Sequence, residues 1–165
     1  LDPEFELKIA SFADYMYDTY NLRTIFFPFK ISEDYEISCQ IAEKMKSKSY
    51  VVRNEYKSDI FMGMISRCEM LMGMRLHSLI YATTVSVPVI GLVYDPKIEG
   101  FLKYINQDIS ENVSYIDETR LRKVADDIMN NKEVLIKELE ENTMRLKGLA
   151  MKNAEIAIKL LERKI

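Results

Sequence analysis

The sequence predicts an α/β domain built on a doubly wound parallel sheet. Short apolar segments of strand length alternate with amphipathic segments of helical period along most of the 165 residues. The connections between these segments are only a few residues long. Because parallel strands need crossover connections, usually helices that cover both faces of the sheet, this alternation is typical of the doubly wound architecture.

The first half of the chain shows the alternation clearly. Residues 6–20 carry apolar side chains at helical spacing, and this pattern ends at Asn21. The run LRTIFFPF at residues 22–29 predicts a buried strand. Ser32 is a candidate N-cap for a helix over residues 33–46. The next predicted elements are a strand at 50–53, a helix at 57–66 and a strand at 69–74.

The second half continues the pattern. A helix is expected from Arg75 or Leu76 to about Ser86, followed by the most strand-like segment of the chain, PVIGLV at residues 88–93. A short helix at residues 96–104 and a strand at residues 113–116 follow. Asp117 then caps a helix that runs to about Asn130.

The C-terminal segment has a different period from the rest of the chain. Its apolar and amide side chains are spaced alternately four and three residues apart, at Leu135, Leu139, Asn142, Leu146, Leu149, Asn153, Ile156 and Leu160. That heptad seam predicts one helix of about 30 residues, packed on the domain itself or on a partner. We interpret residues 1–5 (LDPEF) as a cloning scar, residues 6–130 as the domain and residues 131–165 as the long helix.

Composition and charge exclude several classes of partner. Apolar residues make up 48% and charged residues 30% of the chain, as in a globular domain, and the net charge is −3. A nucleic-acid or membrane-surface partner normally requires a basic stripe. Cys39 and Cys68 have no metal-ligand spacing, and no apolar run reaches the roughly 18–20 residues of a membrane span. We therefore expect a cytoplasmic protein with buried free thiols, no metal and no cofactor.

The first candidate binding segment is GMRLHS at residues 73–78. Gly73 permits a tight turn or a close ligand approach, and Arg75 and His77 fall where a helix begins. Free N–H groups and the helix dipole favour an anion there, at the carboxyl end of a parallel strand. Arg75 offers a planar fork for a carboxylate or phosphate, and His77, the only histidine, suits proton transfer. Each residue taken singly is also compatible with a structural or surface role.

The second candidate segment lies at the end of the next strand, where Tyr94 is followed by Asp95, Pro96 and Lys97. Asp95 is a typical helix cap and Pro96 suits the first helical position, so the segment is explained by helix initiation alone. Its functional interpretation is that Lys97 supplies a second cation for the same anionic ligand.

These two segments together resemble the polysaccharide pyruvyl transferase family. The resemblance rests on MGMRLHSLIYA and, after a short spacer, VPVIGLVYDPKIEGFLKYI, within residues 58–105. The stretch FFPFKISEDYEISCQIAEKM, with Asp34 in a loop, is similar more loosely. The resemblance is greatest to bacterial enzymes that add pyruvyl ketals to secondary cell-wall polymers. It implies a Rossmann-like unit, the C-terminal half of a GT-B-like fold.

The resemblance also implies roles for individual residues. Arg75, Leu76 and His77 would hold phosphoenolpyruvate, the donor substrate, and Arg75 and His77 would be the catalytic pair. The substrate-binding residues would be Gly73, Arg75, Leu76, His77, Ser78, Tyr94 and Lys97. The acceptor would be a lipid-linked or polymeric saccharide, usually N-acetylmannosamine, bound by an N-terminal domain that this chain does not supply.

The resemblance conflicts with the number of predicted strands, and two other functions remain as alternatives. A Rossmann-like unit usually has six strands, whereas the sequence predicts five and begins on a helix, so a central strand is missing and the fragment is expected to be inactive by itself. The gap could be closed by its flanking strands, by the N-terminal segment or by a second chain, and we expect a homodimer. The alternatives are the donor half of a nucleotide-sugar GT-B glycosyltransferase and a non-catalytic interaction module that acts through the heptad helix.

Overall fold

A computed structural model describes residues 2–107 and 109–162 of the chain. The described residues form an α/β fold of seven helices and five strands. In chain order the elements are α1 (Phe5–Tyr20), β1 (Thr24–Phe26), α2 (Ile31–Lys44), β2 (Ser49–Val51), α3 (Ser58–Ile65), β3 (Leu71–Gly73), α4 (Leu76–Thr84), β4 (Val89–Val93), α5 (Pro96–Tyr104), β5 (Ser110–Asn112), α6 (Glu118–Asn130) and α7 (Lys132–Glu162).

The strands form two parallel sheets rather than one. β1 pairs with β2, and β3, β4 and β5 pair in that order. β4 is the central strand of the larger sheet and is buried at all five positions. The parallel sheet with alternating helices is therefore confirmed, but the described strands are divided where a continuous sheet would join β1 to β3.

Helices cover both faces of the larger sheet. Ile90 and Leu92 of β4 pack in a core formed with α1, α2 and α6, whereas Val89 and Val93 pack in a core formed with α3, α4, α5 and α7. Successive side chains of a strand point to opposite faces, so β4 contributes to both cores. This arrangement is the double winding that the sequence predicts.

A cavity of about 690 Å³ separates the two sheets. Residues of both β1 and β3 line it, together with apolar side chains of α1 and α2. Phe29, which follows β1, stacks on Phe61 of α3 with ring centroids 5.0 Å apart and lies 5.7 Å from Tyr81 of α4. Side-chain packing, rather than backbone pairing, therefore joins the described parts of the two sheets.

The long C-terminal helix is confirmed, and its two halves have different surroundings. Leu139 is buried, Asn142 Nδ2 donates a hydrogen bond of 2.9 Å to the Ile105 carbonyl, and Leu146 packs against the core. All residues from 147 to 162 are exposed, including Ile156 and Leu160 of the heptad seam. Within the described residues, no helix combines the length and the apolar character needed to cross a bilayer.

Three local predictions were wrong. The last strand is Ser110–Asn112, and residues 113–116 form a turn whose Val113 and Ile116 are buried, because apolar side chains three residues apart can face one core without a strand. The N-cap of α2 is Lys30 rather than Ser32, and this earlier start places Asp34 in a helical turn instead of a loop. Cys39 and Cys68 are free, as expected, but only half-buried.

Candidate functional site

The two predicted binding segments lie side by side at the carboxyl edge of the larger sheet. Gly73 of β3 is in register with Gly91 of β4, so the residues after each strand emerge at the same edge. β3 leads into α4 and β4 leads into α5. The edge therefore combines two strand ends with two helix N-termini, the location where doubly wound sheets bind ligands.

Gly73 has a packing role in this structure. A Cβ added to Gly73 would lie 2.5 Å from Ser78 Oγ and 3.0 Å from Leu71 Cδ2, and the residue has no positive φ. Buried Ser78 donates through Oγ to the Arg75 carbonyl at 2.6 Å. The close approach of the first turn of α4 to Gly73 explains why this position has no side chain. Neither a left-handed turn nor a bound ligand is needed to explain it.

Arg75 is the N-cap of α4, and two carboxylates hold its guanidinium. Its Nε and Nη2 donate to the two carboxylate oxygens of Asp34 at 3.2 and 2.6 Å, and Nη2 also lies 2.6 Å from Glu33 Oε2. These bonds raise the pKa of Arg75 further above its ordinary value. Lys30, first, and then Arg75 lower the pKa of Glu33. The Arg75 guanidinium that was predicted to bind an anion is therefore paired with acidic side chains. Its Nη1 forms no hydrogen bond with a described residue.

His77 lies two residues into α4 and is exposed. Its ring stands edge-on to Tyr81, with centroids 6.5 Å apart, and no described residue hydrogen-bonds to it. Leu76 occupies the first helical position and is half-buried. The first N–H groups of a helix have no acceptor within that helix, so the backbone N–H groups of Leu76 and His77 are donors at the start of α4.

Lys97 lies in the first turn of α5, as predicted. Asp95 Oδ1 accepts from the Lys97 N–H at 2.9 Å, which confirms the helix cap, and Asp95 Oδ2 lies 3.0 Å from Lys97 Nζ. Lys97 Nζ also lies 5.7 Å from the ring centroid of exposed Tyr94. Asp95 raises the pKa of Lys97, and the charge of Arg75 opposes that rise. Arg75 and Lys97 therefore follow neighbouring strands, and each is paired with acidic side chains.

The comparisons with known proteins agree with the motif pair. A family model described as polysaccharide pyruvyl transferase matches residues 2–96, more than half of the chain. The chain belongs to the polysaccharide pyruvyl transferase family. No curated protein and no solved structure matched the chain.

The family match extends the earlier resemblance towards the N-terminus and includes most of the candidate positions. Residues from Asp34 to Tyr94 lie inside it, and Lys97 lies just beyond its end. Within the described residues, no group of His, Cys, Asp and Glu side chains has the arrangement of a metal site. For this pyruvyl transferase family member, the structure brings Gly73, Arg75, Ser78 and Tyr94 to the lining of one cavity, whereas His77 and Lys97 lie outside that lining.

The acidic partners of Arg75 are the feature that the sequence analysis missed. Glu33 and Asp34 precede Arg75 by about forty residues, and nothing in the local pattern pairs them with it. One signal was available, because the first turn of the helix after β1 and the residues after β3 both belong to the carboxyl edge of a parallel sheet. Acidic residues at the start of α2 can therefore reach an arginine that follows β3, although β1 and β3 are not paired in the described part of the chain.

Proposed function

We propose that this chain is the donor-binding part of a polysaccharide pyruvyl transferase and binds phosphoenolpyruvate at the carboxyl ends of β3 and β4. The observation that carries the proposal is the grouping of Arg75, Lys97 and the N-terminus of α4 at one edge, within or next to the family match. A donor with a carboxylate and a phosphate needs several donors of positive character, and this edge supplies them.

The reaction defines what these groups would do. One sugar hydroxyl adds to C2 of the enolpyruvyl group while a proton is added to C3, which becomes a methyl group. A second hydroxyl of the same sugar then displaces phosphate from C2 and closes a ketal, with the hydroxyl protons passing to C3 and to phosphate. His77 suits delivery of the proton to C3, and Arg75 and Lys97 suit the carboxylate and the departing phosphate. The acceptor would be a lipid-linked or polymeric cell-wall saccharide, held by a separate N-terminal domain.

The ion pairs of Arg75 are expected to weaken the binding of an anionic donor. Glu33, Asp34 and Asp95 contribute three negative charges beside the two cations, so an anionic donor must compete with carboxylates already in place. Glu33 is exposed and also pairs with Lys30, which makes it the partner that a donor can displace with the least disruption. We therefore expect phosphoenolpyruvate to bind weakly, with a dissociation constant in the millimolar range, which corresponds to a binding free energy of about −4 kcal/mol.

Titration of the chain with phosphoenolpyruvate, followed by calorimetry or by NMR shifts near residues 73–78, tests the proposal. Arg75→Lys keeps the charge but loses the fork, and it should weaken binding by about tenfold or more, which is about 1.4 kcal/mol. Arg67→Lys is the matched control, because Arg67, although it lines the same cavity, precedes β3 instead of following it and should have little effect.

Glu33→Gln sharpens the test in the opposite direction. Removing this carboxylate frees part of the Arg75 guanidinium, so binding of phosphoenolpyruvate should become tighter. Absence of binding at millimolar ligand to a folded sample would contradict the proposal, as would equal effects of the Arg75 and Arg67 changes. Preferential binding of a UDP- or GDP-sugar would instead assign the edge to a glycosyltransferase donor.

A further inference from the structure

The Asp34 carboxylate binds one side of the Arg75 guanidinium with both of its oxygens. Arg75 Nε donates to Asp34 Oδ2 at 3.2 Å, and Arg75 Nη2 donates to Asp34 Oδ1 at 2.6 Å. Two parallel hydrogen bonds of this kind fix the plane of the guanidinium as well as its position. Glu33 accepts from Nη2 through one oxygen, and Asp34, ahead of Glu33, is the main cause of the raised pKa of Arg75. Asp34 is therefore the stronger partner of the two carboxylates.

Asp34 is also more firmly held than Glu33. Its Oδ2 accepts a hydrogen bond of 3.0 Å from the N–H of Lys30, the N-cap residue of α2, and its carbonyl accepts one of 2.7 Å from Ser38 Oγ. The Asp34 side chain is 22% exposed, whereas that of Glu33 is 48% exposed. Glu33 pairs instead with the exposed side chain of Lys30. An anionic ligand can therefore replace Glu33 without disturbing the start of α2, but it cannot replace Asp34 in that way.

The two carboxylates use only part of the hydrogen-bonding capacity of the Arg75 guanidinium, which has five N–H groups. Asp34 accepts from Nε and from Nη2, and Glu33 accepts from Nη2 as well. The N–H groups of Nη1 have no acceptor among the described residues, so the fork formed by Nη1 and Nη2 is only half-occupied, by Glu33. The backbone of Arg75 is held separately, because the Oγ and the N–H of buried Ser78 donate to the Arg75 carbonyl at 2.6 and 2.9 Å.

We propose that Asp34 is a positioning residue, which holds the Nε–Nη2 side of Arg75 so that the Nη1–Nη2 fork receives the carboxylate or phosphate of the donor in exchange for Glu33. This inference rests on the proposed function. Ordering a flexible side chain on binding costs free energy, so a fork that is oriented beforehand binds an anion more tightly. The two carboxylates bonded to Arg75 therefore have opposite effects, because Asp34 favours donor binding and Glu33 opposes it.

Two matched variants test this inference, because each removes one negative charge from the same guanidinium. By charge alone, Asp34→Asn and Glu33→Gln should both tighten the binding of phosphoenolpyruvate, which is an anion. If Asp34 positions Arg75, Asp34→Asn should instead weaken binding by about fivefold or more, while Glu33→Gln still tightens it. Asparagine keeps an oxygen for the Lys30 N–H, and thermal unfolding checks that each variant is folded. Asp34→Glu keeps the charge on a longer side chain, so it should bind more weakly than the unaltered chain but more tightly than Asp34→Asn.

A measurement without ligand follows the Arg75 side chain itself. In the NMR spectrum of isotope-labelled protein, the Arg75 Nε–H signal is assigned by its loss in Arg75→Lys. Its exchange with solvent should be much faster in Asp34→Asn and unchanged in Glu33→Gln. Unchanged exchange in Asp34→Asn would overturn the proposal, as would binding of phosphoenolpyruvate to Asp34→Asn at least as tight as to the unaltered chain. If the unaltered chain itself does not bind phosphoenolpyruvate, the proposed function fails and this inference fails with it.

Discussion

The three-stranded sheet and the two-stranded sheet differ in how fully their strands are covered. Every residue of β4 is buried, and Ile90 has no exposed surface. The central residues of β1 and β2 are Ile25 and Tyr50, which are 45% and 61% exposed. The two sheets share parallel pairing, so strand type alone does not explain the difference.

The difference in burial arises from the strands and helices that surround each strand. β4 has a paired strand on each side and helices on both faces, whereas β1 has a paired strand on one side and the cavity on the other. A parallel strand normally relies on burial of both faces. The larger sheet is therefore expected to provide most of the stability, and the smaller sheet depends on α1, α2 and the aromatic contacts of Phe29.

The largest effect that would test this comparison is the loss of one core side chain from each sheet. Ile90→Ala should lower the free energy of unfolding by about 2–5 kcal/mol, because it removes buried methyl groups from the centre of the core. Ile25→Ala is the matched change in β1 and should cost at most about 1 kcal/mol. Chemical denaturation measures both. Similar losses would mean that β1 is as well covered as β4, contrary to the structure.

A smaller effect is expected where β3 meets α4. Gly73→Ala places a Cβ 2.5 Å from Ser78 Oγ, and Ser78 is fixed by its bond to the Arg75 carbonyl. The change should cost about 1–3 kcal/mol through overpacking. Gly100→Ala is the control, since a Cβ on this helical glycine meets nothing within 4 Å and should stabilise by about 0.5–1 kcal/mol.

Adding Ser78→Ala to Gly73→Ala identifies the cause of the loss. Removal of Oγ relieves the closest contact, so the double variant should lose less stability than the two single changes added together. Strict additivity would show that the strain arises at Leu71 Cδ2 instead, the next nearest atom at 3.0 Å.

Sequence reasoning succeeded where the signal was local. The apolar run of β4 and the Asp95–Pro96 pair that begins α5 each carry their information within a few residues, and the structure places both as predicted. It failed at β5, whose residues Ser110, Glu111 and Asn112 have no strand-like pattern. An edge strand bonded to only one neighbour needs little apolar surface, so its polar sequence gave no sign of it.

The candidate site also combines features that are local in the sequence with a tertiary contact that is not. Arg75, His77 and Lys97 were proposed from their positions after predicted strands, and in the structure Arg75 and Lys97 follow neighbouring strands at one edge of the larger sheet. The pairing of Arg75 with Glu33 and Asp34 depends on the tertiary arrangement of β1 and β3. Periodicity does not contain that information, and only the shared carboxyl edge of the two strands indicated that acidic side chains could lie near the Arg75 guanidinium.

The smallest expected effect concerns Asp2, which attaches α1 to the larger sheet. Its carboxylate accepts hydrogen bonds from Lys8 Nζ at 2.8 Å and from the Ile116 N–H at 2.9 Å, and these bonds lower the pKa of Asp2 from 3.8 to about 2. Because the folded state favours the ionised form, the contribution to stability is complete above pH 3.8 and is lost as the pH falls towards about 2.

Asp2→Asn should therefore lower the unfolding midpoint slightly at neutral pH, and the difference from the unaltered chain should disappear near pH 2. Asp18→Asn is the control, because Asp18 is exposed on the same helix and forms no side-chain hydrogen bond or ion pair with the described residues. Unfolding curves recorded over this pH range measure the two differences. If the Asp2 difference does not change with pH, the ionised carboxylate of Asp2 does not contribute to the attachment of α1 to the larger sheet.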